Sequence, residues 1–186
     1  MHTVLLSLGA NIGDMRTTIA RAIELISQTV LKDVRVSPLY QTAPVGFTEQ
    51  PDFLNCAVVG LSSASAREIH DACKDIERQL GRQQRERWHE REIDIDVILV
   101  GNLIYDEGDV HIPHLRMHER LFVLQPACDL IPDAVCPRTG KTLAQMREDR
   151  HPCESRDPSS SCLLKDMDSR FRGNDDTAHG FPLSRE

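Results

Sequence analysis

The order in which strand-like and helix-like apolar patterns follow one another is what most restricts this chain. "TVLLSL" (3–8) is a short β-like run closed by the turn "GANIGD". Asp14 then stands as N-cap to a segment whose apolar residues, Ile19, Ala22, Ile23, Ile26 and Val30, recur at the spacing of one helix face. "DVRVSPLYQT" (33–42) alternates like a strand, with Pro38 confining its centre to an edge or a bulge. A loop rich in Pro and Gly, 43–52, leads into a third strand, "FLNCAVVGLSS" (53–63). Ser65 and Glu68 form a capping box for a second helix, with Ile69, Ala72, Cys73, Ile76 and Leu80 inward and Gly81 at its end. After an Arg-rich loop, 82–92, comes a fourth strand, "IDIDVILVG". The order βαββαβ is that of the ferredoxin-like arrangement, an α+β antiparallel sheet with helices packed on one face. Short helices are expected around 118–130 and 141–149.

From about Asp149 the chain becomes polar and is broken by Pro, Ser and Gly, without sustained periodicity. Such a stretch buries too little apolar surface to offset its ordering entropy. The expected organisation is one domain, 1–148, followed by a disordered, non-functional tail, 149–186. At 186 residues and 40% hydrophobic the chain can bury an ordinary core, and its net charge of −7 speaks against a general nucleic-acid binder. A local basic patch for a small anion is compatible with that charge. Six cysteines are widely spaced, none in C-x-x-C, and several fall inside apolar patterns, which predicts buried free thiols rather than a disulfide framework or a zinc site. The first residues lack a basic n-region and a small-residue cleavage site, and no apolar run approaches a membrane span. The expectation is a soluble cytoplasmic monomer with no membrane or nucleic-acid partner.

Within the fourth strand, Asp94 and Asp96 share one face, and Ile93, Ile95 and Val97 take the other. Two carboxylates about 7 Å apart can reach one or two divalent cations, and magnesium suits them because substrate phosphate and water complete its shell. Alone, the two acids could equally end a strand in solvent. Arg78, Arg82, Arg85, Arg87 and Arg91, with Trp88 among them, weigh against that. Guanidinium groups grip phosphate oxygens bidentately, so arginines beside such a pair suit a polyphosphate, although Glu77, Glu86, Glu90 and Glu92 could neutralise some of them. His114 precedes Arg120 and Phe122 in "IPHLRMHERLF". Phe53 and Asn55 share a side of the third strand; a ring and an amide suit a flat heterocycle, with plain core as the competing reading for Phe53. "TGKT" (139–142) lacks the upstream glycine of a phosphate-binding P-loop.

With these residues assembled, the chain resembles the 6-hydroxymethyl-7,8-dihydropterin pyrophosphokinases of folate biosynthesis. The likeness runs through "VLLSLGANIGD", "SPLYQTAPVGFTEQPDFLNCAV", "IERQLGR", "REIDIDVILVG" and "IPHLRMHERLFVLQPACDLIPD", nearly all of 3–148. It implies a ferredoxin-like enzyme that moves the terminal pyrophosphate of ATP onto the pterin hydroxymethyl group and releases AMP. It further implies that Asp94 and Asp96 hold two Mg2+ ions and act with Arg82 and Arg91 in catalysis. Glu77, Arg82, Trp88, Arg91, His114 and Arg120 would bind ATP. Thr42, Pro44, Val45 and Gly46 of the loop, with Phe53, Asn55 and Phe122, would bind the pterin. The chain departs from the family pattern with Phe53 in place of a common tyrosine, "WHERE" (88–92) where "WGPRT" is frequent, and an Arg loop one residue short, with Gln84 near a usual arginine. Two other readings stay open at this point: a two-metal phosphodiesterase or nucleotidyl-cyclase-like enzyme, and a non-catalytic nucleotide-binding remnant.

Overall fold

The computed structural model describes residues 1–44, 49–83 and 90–154, with side chains described to residue 150. Its centre is β1 (His2–Ala10), hydrogen-bonded on both edges, to β4 (Phe53–Ser62) and to β5 (Asp94–Val100). β2 (Lys32–Val36) and β3 (Tyr40–Thr42) both pair with β4, giving the order β2-β4-β1-β5 with β3 beside β4, and every pairing is antiparallel.

α1 (Met15–Thr29) and α2 (Ala66–Gln79) cover one face. They form where the spacing predicts, and both caps are present. Asp14 accepts from the Thr17 amide and hydroxyl, and Ser65 and Glu68 exchange bonds as a full capping box. Val4, Leu6 and Leu8 of β1 meet Ile19, Ile26, Ile69, Cys73 and Ile76 in this layer.

The opposite residues of β1 face a second layer, which corrects the expectation of helices on one face only. α3 (Leu121–Leu130) and α4 (Leu143–Glu154) pack there over Leu5, Ala57, Ile98 and Leu99. Apolar layers therefore lie on both faces of the sheet, which explains why β1 reads as a nearly continuous apolar run. The strand expected over 33–42 is two strands. Pro38 has no N–H to give a ladder, and the Ala57 N–H donates to the Ser37 hydroxyl instead, at 2.9 Å. A hairpin of β6 (Tyr105–Glu107) and β7 (Val110–Ile112), turning at Gly108, escapes prediction because each strand has three residues. A 3-10 turn, Met117–Glu119, delays the start of α3. α4 crosses the expected boundary at 148 and runs to Glu154. Residues 155–186 lie outside the described residues.

Cys56, Cys73, Cys128 and Cys136 are buried free thiols, and burial pushes Cys56 and Cys73 up to about 12. At Gly60 a Cβ would stand 2.7 Å from the Lys32 carbonyl oxygen and 3.0 Å from Leu31 Cβ. Leu31 is buried between α1 and β2 and Lys32 opens β2, so Gly60→Ala is expected to cost about 1–3 kcal/mol, read as a lowered midpoint in urea denaturation.

Candidate active site

Strand pairing brings the sequence-distant candidates together. Gly9 lies between Asn55 on β4 and Asp94 on β5, while Ser7 lies between Ala57 and Asp96. These residues face the α3 side of the sheet, so Asn55, Gly9 and Asp94 form one row across three strands. At the usual strand spacing the two outer residues are roughly 10 Å apart. Gly9 leaves the ground between them open, and a Cβ there would stand 2.8 Å from Asn55 Oδ1. Asn55 is only 3% exposed and donates to the Thr42 hydroxyl at 2.8 Å. Phe53 begins the same strand two residues earlier, half-buried and on the same face.

The acid pair sits at the other end of that row, ringed by cations from separate elements. α2 ends in a Schellman turn, with Arg82 N–H bonded to the Glu77 carbonyl and Gly81 N–H to that of Arg78. Gly81 supplies the positive φ, and the reversal brings Arg82 back to pair with both Glu77 and Asp94, the latter at 2.7 Å. Arg91 pairs with the other oxygen of Asp94. Arg91 is itself held by Asn11, whose side-chain oxygen accepts the Arg91 N–H at 2.7 Å and whose own N–H donates to the Arg91 carbonyl. The Asn11 amide also donates to Gln50 and to the Pro51 carbonyl, so one residue ties both loops that border the site. Arg120, at the start of α3, reaches Asp96 at 3.3 Å and lies over the Phe122 ring at 5.7 Å. His114 follows a cis Ile112–Pro113 peptide, and its N–H is fastened to the Ile98 carbonyl.

The two carboxylates are pushed apart in acidity. Burial raises Asp94, but Arg91, Lys74 and Arg82 outweigh it and hold the group below the ordinary carboxylate value. Asp96 is raised, by burial first and by the charge of Asp94 second, against the pull of Lys74, His114 and Arg120. Burial also lowers His114, against the pull of Asp96. Two same-face carboxylates that disfavour each other's charge form a donor set that a divalent cation would relieve. Among the described residues no group of three or more His, Cys, Asp or Glu could hold a metal ion. Water and ligand oxygens would therefore have to complete the shell, which suits magnesium rather than zinc.

Of the expected site residues, Arg82, Arg91, Asp94, Asp96, His114 and Arg120 gather at one end of the row and Thr42, Phe53 and Asn55 at the other, with Phe122 on the α3 side under Arg120. Pro44 ends the described part of its loop, half-buried. Val45, Gly46 and Trp88, with Arg85 and Arg87, lie outside the described residues. Glu77 is 3% exposed and spends its oxygens on protein partners, so its place is beneath the site. Sequence reasoning passed over Gly9, Asn11 and Lys74; their only signal was a turn and a helix position. A separate cleft of about 480 Å³ at the far end of β1 and β5 is lined by Thr3, Leu99, Gly101 and Val135, with Asp133 as its only titratable group, and borders none of these residues.

Fold and site together define an antiparallel α+β domain with an arginine-ringed carboxylate pair at one end of a strand-crossing row and a buried amide at the other. The family model described as 7,8-dihydro-6-hydroxymethylpterin-pyrophosphokinase matches residues 5–132, and the chain belongs to that family. It is 38% identical over 126 residues to the Bacillus subtilis 2-amino-4-hydroxy-6-hydroxymethyldihydropteridine pyrophosphokinase, covering 67% of this chain and 75% of that one. It is 39% identical over 134 residues to the mitochondrial folate synthesis bifunctional protein of Arabidopsis thaliana, covering 72% of this chain but 24% of that protein. A crystal structure of Plasmodium falciparum HPPK-DHPS with pteroate shares the fold, with a TM-score of 0.65 at 13% identity, covering 80% of this chain and 42% of that one. The chain thus spans about a quarter of the Arabidopsis relative and under half of the Plasmodium one.

Removing Glu77 would strand Arg82, Lys74 and the Ile95 N–H around a vacated, buried position. Glu77→Ala is expected to lower the unfolding free energy by about 3–5 kcal/mol, measured by urea denaturation.

Proposed function

We propose that this chain transfers the pyrophosphoryl group of ATP to 6-hydroxymethyl-7,8-dihydropterin, releasing AMP, as a soluble cytoplasmic monomer. The observation that carries this reading is the row Asn55–Gly9–Asp94. It sets an amide suited to a heterocycle edge about two strand spacings from an arginine-ringed carboxylate pair. Phe53, Asn55 and Phe122 together have no evident role in a nuclease.

In this reading Phe53 and Phe122 cover the pterin ring, Asn55 and Thr42 pair with its edge, and the loop through Pro44, Val45 and Gly46 borders it. Arg82, Arg91, Arg120 and His114 receive the phosphates, with Trp88 at the nucleotide, while Glu77 acts from beneath through Arg82. Asp94 and Asp96 would hold two Mg2+ ions, which lower the negative charge that opposes attack on a polyphosphate. The pterin hydroxyl oxygen forms a bond to the β-phosphorus as the bond from that phosphorus to the α-bridging oxygen breaks; AMP leaves with that oxygen, and the hydroxyl proton passes to water. The arginines neutralise charge on the transferring group. Such transfer has a loose transition state, so orientation and charge supply most of the rate and no strong base is required. Gly9 keeps the floor between the two ligands free of side chain.

The direct test is AMP release from Mg-ATP with the pterin, for the intact chain and for Asp96→Asn. Pterin-dependent AMP is expected, with a loss of at least about a hundredfold in the variant; an intact chain that makes none would sink the proposal. The functional part is taken to end with α4. A chain ending at Glu154 is expected to keep its rate within about twofold. Ending it before Arg150 removes the contact of that residue with the Glu119 carbonyl, next to Arg120.

A further inference from the structure

Among the described residues β5 is the outermost strand of its sheet, and its outward backbone groups meet no further strand there. At Ile95, the residue between the two acids, a pair of side chains from α2 takes that place. The Ile95 N–H donates to Glu77 Oε1 at 2.7 Å, and Lys74 Nζ donates to the Ile95 carbonyl at 3.2 Å. Lys74 Nζ also donates to the same Glu77 oxygen at 2.7 Å, closing a ring of donor and acceptor around one peptide edge. The ammonium then stands 3.9 Å from Asp94 Oδ1. Residues 74 and 77 lie on one helix face, which lets both reach the same strand residue.

We infer that Lys74 is a positioning residue: with Glu77 it clamps the Ile95 peptide and so fixes where Asp94 and Asp96 present their oxygens. The inference rests on the proposed reading of that pair as a cation and phosphate site. An ordinary surface pair between residues three apart would leave the strand indifferent to its loss. Here the acid is 3% exposed, and the lysine spends a second donor on the strand's own carbonyl. Asp94 and Asp96 flank the clamped residue, so a tilt at Ile95 moves both carboxylates together. Partners that orient metal-binding groups in this indirect way typically change metal affinity by about 10–100-fold when removed.

The test uses the full chain as wild type, Lys74→Met and Lys74→Arg. Methionine keeps an apolar stem in a helix and removes every donor; arginine keeps donors and charge. Amide hydrogen exchange at Ile95 is followed by NMR, and Mn2+ binding by EPR in the presence of a non-hydrolysable ATP analogue. In Lys74→Met, Ile95 exchange is expected to accelerate about tenfold while the rest of β5 is unchanged, and Mn2+ affinity to fall about tenfold. Its kcat falls while the KM for the pterin holds, and Lys74→Arg restores all three. Unchanged Ile95 exchange and Mn2+ affinity in Lys74→Met would overturn the inference. So would a loss of protection throughout β5 that arginine does not restore, since Lys74 would then be general scaffold. A wild type that releases no AMP would overturn the activity alone, because exchange and Mn2+ binding are read without turnover.

Discussion

Glu77 places a carboxyl group inside this protein, and a buried acid is tolerated only when it is paired and hydrogen-bonded. Its partners come from three directions: the Ile95 backbone of β5, Lys74 one turn back on its own helix, and Arg82 beyond the Schellman turn. Burial raises its pKa, and Lys74 and Arg82 oppose that shift. Helix, edge strand and arginine are therefore joined at one side chain. The candidate site stands on that junction, because Arg82 and β5 also carry the contact to Asp94.

From that junction the electrostatics of the site follow. Each of the two acids is held by arginine, Asp94 by Arg82 and Arg91 and Asp96 by Arg120. The arginines come from a helix end, a loop and the start of a second-layer helix, and with Lys74 they outnumber Asp94, Asp96 and Glu77 in a protein that is acidic overall. The proposed polyphosphate would meet arginines already gathered around the carboxylates, so much of the orientation entropy of the site is settled when the chain folds. Asn11 extends this order to the loops on both sides by bonding Pro51 and Arg91 at once.

The sheet supplies the other half of the arrangement. Because β1 is paired on both edges, residues from β4 and β5 that are far apart in sequence stand in register across it. A glycine at the crossing keeps the ground open, and the apolar layers on both faces hold the strands rigidly enough for that register to matter.

Local patterning determined a good deal by itself. Asp14 and Ser65 announced their helices through side chains that cap orphan amides. The alternation in "IDIDVILVG" placed Asp94 and Asp96 on one face with Ile93, Ile95 and Val97 on the other, because strand geometry has a period of two. The motif order also sufficed to recognise the family. Only tertiary structure decided the rest. The second helical layer depends on α3 and α4 finding the back of the sheet, which no local period encodes. The split at Pro38 depends on Ser37 capturing the Ala57 amide from another strand. The places of Gly9, Asn11 and Lys74 depend on long-range pairing: a glycine, an asparagine and a lysine have no distinguishing mark until register and helix packing set their neighbours.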